Sequence, residues 1–164
     1  MNNKNNKVIE EFGDEWSKFN YSKINTFKLK KNFDEYFAIV PENFFSNKSI
    51  GFDMGCGSGR WAQFVAPKVK HLNCIEPSGA IDIAKYNLKN FNNISYYKQT
   101  TETCSIDKGS QDFGYCLGVL HHIPNTEKAL SDCAKLLKDE SPFLIYLYYN
   151  FENKPQWFKI LWKL

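Results

Sequence analysis

A short apolar run, Ser49 to Met54, leads directly into Gly55-Cys56-Gly57-Ser58-Gly59 and then into a helical pattern, and nothing else in the chain limits its fold as strongly. Glycines at a strand-to-helix turn let the backbone bend sharply and approach a ligand with no Cβ in the way. The spacing is G-x-G-x-G, and Arg60 stands where the last glycine of the dinucleotide fingerprint G-x-G-x-x-G would be, which disfavours a NAD-dependent oxidoreductase. The phosphate loop G-x-x-x-x-G-K-[ST] is absent. Asp53, just ahead of the loop, would repel a pyrophosphate and attract an ammonium group. Glu76 follows the next apolar run and offers two acceptor oxygens to the hydroxyl pair of a ribose. The plainer reading is that Asp53 caps the following turn and Glu76 is a solvated residue before Pro77.

Around this loop the pattern alternates. Strands are expected at Ser49 to Met54, His71 to Ile75, Ile94 to Lys98, Asp112 to Gly118 and Pro142 to Tyr149. Helices are expected between them, one carrying Trp61, Phe64 and Val65, one capped by Ser78 and carrying Ile81, Ala84 and Leu88, and one opened by Thr126. The last strand is almost wholly apolar and is expected to be covered on both faces. Strands alternating with helices imply βαβ units with right-handed crossovers, so the fold class is α/β, a doubly wound, mainly parallel sheet of about five strands. Ahead of the sheet, Val8, Ile9, Phe12, Trp16 and Phe19 read as a helix interrupted near Gly13. A second helix runs from Ile24 to Val40, with Phe27, Phe33, Tyr36 and Phe37 on its apolar stripe. The chain reads as one domain, with a helical cap over 1–47, a cofactor-binding core over 48–150 and an apolar segment over 151–164.

Composition narrows the partners. With 164 residues, 43% of them hydrophobic, the chain supports one ordinary core. The net charge is only +3 and all basic residues except Arg60 are lysines, which gives no support to nucleic acid as a partner. Five cysteines without C-x-x-C spacing read as small buried hydrophobes in a reducing compartment. No apolar run approaches the ~20 residues of a membrane span, and the first residues lack a secretory apolar stretch, so a cytoplasmic protein is expected. His121 and His122 are adjacent with no acidic or cysteine cluster to complete a metal site, so no metal is expected. One of them could instead face an acceptor at the end of the fourth strand and act as a general base near neutral pH.

Asp-x-Gly-x-Gly-x-Gly followed by an acid at the end of the second strand resembles the class I S-adenosylmethionine-dependent methyltransferases, closest to their small-molecule, ubiquinone-biosynthesis-like branch. Glu102, Ser110 to Phe113, Leu117 to Ile123 and Leu136 to Lys138 extend the similarity, which spans Ser49 to Tyr149. The resemblance implies S-adenosyl-L-methionine as cofactor. It implies that Asp53 and the backbone of Gly55, Cys56 and Gly57 hold its methionine end, that Glu76 binds the ribose, that Thr101 and Glu102 flank the adenine, and that Leu117 and Gly118 line the sulfonium end. Trp16 and Tyr21 become lid candidates, His121 and His122 catalytic candidates, and replacing Asp53 or Glu76 by alanine should weaken binding with little loss of fold. The acceptor is expected to be a small molecule with a sugar, lipid-linked or quinone-type hydroxyl. The alternative is a non-catalytic binding module or a truncated inactive fragment. The family sheet has seven strands ordered 3-2-1-4-5-7-6, so the last antiparallel hairpin is expected to be missing here. A homodimer or a partner chain would then cover the open edge, unless the apolar segment itself folds back over it.

Overall fold

The alternating pattern builds a single five-stranded sheet ordered β3-β2-β1-β4-β5, seen in a computed structural model that describes residues 3, 5–7, 9–11, 26–148 and 155. The strands are β1 (Ile50–Met54), β2 (His71–Ile75), β3 (Ile94–Tyr97), β4 (Phe113–Leu117) and β5 (Phe143–Tyr146). All four pairings are parallel. The helices are α1 (Thr26–Tyr36), α2 (Ala62–Val65), α3 (Ala80–Asn87) and α4 (Thr126–Ala134).

The two-residue period of the strands sorts their side chains into two cores. Leu72, Cys74, Phe113 and Tyr115 pack on one face with Phe33, Val65, Ile81 and Leu88. Phe52, Met54, Ile75 and Cys116 pack on the other with Ala129 and Cys133 of α4. Two strand glycines make this packing fit. A Cβ on Gly51 would strike the Phe113 ring, and one on Gly114 would strike the Phe52 ring.

Several boundaries differ from the sequence reading for local reasons. The helix expected from about Ile24 to Val40 ends at Tyr36, residues 24 and 25 lying outside the described residues, and Phe27 is exposed while Leu29 and Phe33 carry the buried stripe. α4 opens at Thr126 as read, with Asn125 as its N-cap: the Asn125 side chain accepts from Lys128 N–H at 2.8 Å, while the Thr126 hydroxyl turns back to the Leu120 carbonyl at 3.1 Å. β5 pairs with β4 alone among the described residues, yet it meets both cores: Leu144 is buried in the first, and Phe143 and Ile145 pack half-buried against the second. Helical positions 9–11 agree with the first expected helix, whereas Trp16, Phe19, Tyr21 and most of the apolar segment 151–164 lie outside the described residues. Among the described residues no helix is long and apolar enough to cross a membrane.

Candidate functional site

In a parallel sheet the loops that follow the strands gather at one edge, and ligands of open α/β sheets bind there. This chain has a cavity of about 300 Å³ at that edge, at the lower end of the ~300–1,000 Å³ typical of ligand sites. Its wall draws on the end of every strand. Asp53 to Gly57 close β1 and open its loop, Glu76 and Pro77 follow β2, Gln99 to Thr101 follow β3, Leu117 to Val119 close β4 and open its turn, and Tyr146 and Tyr148 belong to β5 and its exit.

Asp53 is 2% exposed, and the strand register explains its burial. It lies level with Cys74 on β2 and Tyr115 on β4, both fully buried. Its Oδ2 is buried without a hydrogen-bond partner, as is the Tyr115 hydroxyl. Burial pushes the Asp53 pKa up to about 8, against a smaller lowering influence from the Tyr115 hydroxyl, and the nearby Glu76 pushes it further up. Once ionised, a buried carboxyl with an unpartnered oxygen at a cavity wall is chemically suited to a cationic group, which would supply the missing partner.

The backbone of Gly55, Cys56 and Gly57 is expected to hold the methionine end of the ligand, and its N–H groups already have partners within the protein. Those of Gly55 and Cys56 donate to the Ile75 carbonyl, at 2.8 and 3.1 Å. The N–H of Gly57 donates to Glu76 Oε2 at 3.1 Å. The parallel pairing of β1 with β2 brings Ile75 level with Met54, so its carbonyl faces the start of the loop. What the loop gives a ligand is close approach. Gly55, at φ +77°, packs against Val119 so tightly that an added Cβ would overlap its methyl groups. The buried Cys56 thiol is pushed well up by desolvation and is not a nucleophile.

Glu76 lines the cavity while its two oxygens also accept from Gly57 and Ser78 N–H groups. A carboxylate has about four lone-pair sites, so two remain for ligand hydroxyls. Thr101 faces the same space and its hydroxyl is buried without a partner. Glu102 is a correction, because it does not line the cavity. Its carboxylate accepts from Asn3 N–H and from Lys128 Nζ, both at 3.0 Å, and these partners draw it to the rim. Leu117 and Gly118 both contribute to the wall.

The two histidines part company. His122 lines the cavity and His121 does not. The His121 ring packs at a tilt against His122, centroids 4.0 Å apart, and against Tyr148 at 4.5 Å, with both nitrogens buried and unpartnered. Burial lowers the pKa of both rings, so His122 presents a neutral imidazole able to accept a proton at pH 7. Among the described residues no group of three or more His, Cys, Asp or Glu side chains could hold a metal.

Several contributors escaped sequence reasoning. Tyr146 and Tyr148 line the cavity, so the apolar end of β5 forms a wall of the site. Arg60 was read only as a broken glycine position, although its being the only arginine was a usable signal. Asn3 lies in an Asn- and Lys-rich stretch, yet it is buried and pairs with Asn125 through two hydrogen bonds of 2.8 and 2.9 Å, and no local pattern marks that contact.

An open parallel sheet with a cavity at its carboxyl edge, a glycine turn after β1 and an acid after β2 defines a cofactor-binding α/β domain. Residues 52–145 match the model of the family described as methyltransferase domain, and the chain belongs to that family. It is 29% identical over 96 residues to a ubiquinone biosynthesis O-methyltransferase of Nitrosomonas europaea, covering 57% of this chain and 40% of that protein. The corresponding protein of Coxiella burnetii is 30% identical over 88 residues, covering 52% and 38%. The fold is shared with the YcgJ protein of Bacillus subtilis, at a TM-score of 0.61 and 21% identity over 74% of this chain and 50% of that one. It is shared also with a phosphoethanolamine N-methyltransferase of Haemonchus contortus, at 0.63 and 15% over 82% and 31%. The chain spans about two fifths of the length of the curated relatives it matches.

Proposed function

We propose that this chain binds S-adenosyl-L-methionine and transfers its methyl group to a small-molecule hydroxyl of quinone or phenol type. The observation that carries the reading is the buried, unpartnered Asp53 oxygen at the wall of a cavity that also contains the glycine loop and Glu76. The residues present fit the cofactor at each end. Asp53 would take its ammonium group, Glu76 its ribose hydroxyls, and the unpartnered Thr101 hydroxyl its adenine. Bound there, the cofactor supplies a methyl group activated by a sulfonium leaving group.

The protein's own work is alignment and exclusion of water. Tyr36, Trp61, Tyr146 and Tyr148 line the cavity with aromatic side chains, a wall suited to an apolar ring. His122, held neutral by burial, is placed to take the proton of an acceptor hydroxyl. The name of the curated relatives, ubiquinone biosynthesis O-methyltransferase, supports an acceptor of this class.

Calorimetry with S-adenosylhomocysteine tests the cofactor, and methyl release with catechol-type acceptors tests the reaction. Binding together with turnover supports the proposal. Binding without turnover on any hydroxyl acceptor would leave a non-catalytic module, and tight NADH binding with no response to S-adenosylhomocysteine would overturn the cofactor itself.

A further inference from the structure

Arg60, the chain's only arginine, ends the glycine loop that Asp53 precedes, and both line the same cavity. Its guanidinium carbon lies 4.2 Å from the centroid of the Trp61 ring, so the planar fork is held against a flat support. Its backbone is fixed too, since Gln63 Nε2 donates to the Arg60 carbonyl at 2.9 Å. The Arg60 Nε is buried with no hydrogen-bond partner. Among the described residues every ion pair uses a lysine, and no carboxylate pairs with Arg60. A pre-oriented guanidinium with an unmet donor in a ligand cavity calls for a planar anion, and a carboxylate fits its fork.

The charge pattern identifies which carboxylate. A purely anionic ligand would meet Asp53 and Glu76, and a purely cationic one would meet Arg60. A zwitterionic α-amino acid group satisfies both ends. We propose that Arg60 is the carboxylate clamp of the site, binding the α-carboxylate of the ligand's amino-acid end while Asp53 takes its ammonium. This rests on the cofactor reading above and adds to it the residue that selects for an intact methionine end.

Calorimetry on the full chain tests it with three probes: S-adenosylhomocysteine, its decarboxylated analogue, and 5′-methylthioadenosine, which lacks the whole amino-acid end. The variants are Arg60→Met, which keeps an apolar stem on Trp61, and Arg60→Lys. The wild type should prefer S-adenosylhomocysteine over the decarboxylated analogue by about ten- to a hundredfold, the range of a charge-assisted hydrogen bond. Arg60→Met should abolish that preference and leave 5′-methylthioadenosine binding unchanged, and Arg60→Lys should restore part of it. Equal loss for all three probes in a folded variant, or a carboxylate preference that survives in Arg60→Met, overturns the clamp. So does a wild type that shows no carboxylate preference, a comparison that needs no variant to fold. A wild type that binds none of the three probes overturns the cofactor reading itself, whereas unchanged S-adenosylhomocysteine affinity in Arg60→Met overturns only the clamp.

Discussion

Glu76 Oε2 accepts a hydrogen bond from the backbone N–H of Gly57 at 3.1 Å, across nineteen positions of sequence. Its other oxygen accepts from Ser78 N–H at 3.0 Å, so one carboxylate ties the glycine loop to the entry of α3. The expectation that Glu76→Ala spares the fold is therefore revised. Losing charge-assisted bonds to two backbone donors should lower stability by about 2 kcal/mol as well as weaken nucleoside binding. Glu76→Gln keeps one accepting oxygen and turns an amide toward the other N–H, so its loss should be intermediate. Urea denaturation of the three proteins, alongside calorimetry, checks the order.

Asp53 gives the site a pH dependence with opposite signs for stability and binding. The folded carboxyl titrates at about 8, against 3.8 as the ordinary value. Between these values the folded state holds a proton that the unfolded chain has released, so ligand-free stability falls as pH rises through the window and levels off above about 8. The cumulative loss at pH 7 is on the order of 4 kcal/mol. A cationic ligand needs the ionised form, so affinity for S-adenosylhomocysteine should rise roughly tenfold per pH unit from 6 toward 8 while its ammonium stays protonated. Asp53→Asn should flatten both profiles and raise ligand-free stability at pH 7.5. Thermal melts and titrations across pH 5.5 to 8.5 read both.

Much of this arrangement was legible in the sequence because it rests on local periodicity. β2 falls at His71–Ile75 as read, and the alternation of Phe52 and Met54 with Gly51 and Asp53 predicts a two-faced strand. Asp53 and Glu76 were legible because Asp53 stands two positions ahead of the glycine cluster and Glu76 directly ahead of Pro77, each where an apolar run closes. What was not legible depends on contacts between distant segments. Nothing in Gly55-Cys56-Gly57 reveals that its N–H groups already donate to Ile75 and Glu76, since that follows from the register of β1 on β2. Nor does sequence separate His121 from His122, since only the turn after β4 decides which ring meets the cavity. β5 shows the same limit, because its apolar run reads on past Tyr146, where the strand closes, and no local pattern says that it pairs with β4.

Asn3 joins the cavity wall to the entry of α4. Its Oδ1 accepts from Asn125 N–H at 2.8 Å, its Nδ2 donates to the Asn125 carbonyl at 2.9 Å, and its own N–H donates to Glu102. Asn3→Ala removes the two side-chain bonds, at about 1 kcal/mol each, and should speed exchange of the Asn125 amide proton. Asn3→Asp keeps the acceptor and should protect that amide while losing the carbonyl contact. The Asn125 cap on Lys128 is separate, so α4 itself should remain folded in both variants. Amide exchange resolved at Asn125 and across α4 distinguishes the two effects.

Gly55 and Val119 form a coupled pair across the cavity floor. A Cβ on Gly55 would lie 2.5 and 2.8 Å from the two Val119 methyl carbons, and the residue sits at φ +77°, a conformation that costs any L side chain about 1 kcal/mol. Gly55→Ala should therefore destabilise through both collision and backbone strain, by about 2–4 kcal/mol in all. Val119→Ala removes the methyl groups that collide but leaves the strain. The double variant should recover the collision part, giving a favourable coupling of about 1–2 kcal/mol in a double-mutant cycle. Additive effects would mean that Val119 moves aside freely, in which case its contact does not fix the loop against β4. Denaturation midpoints of the four proteins measure the coupling. S-adenosylhomocysteine affinity should follow the same order, because both residues line the cavity.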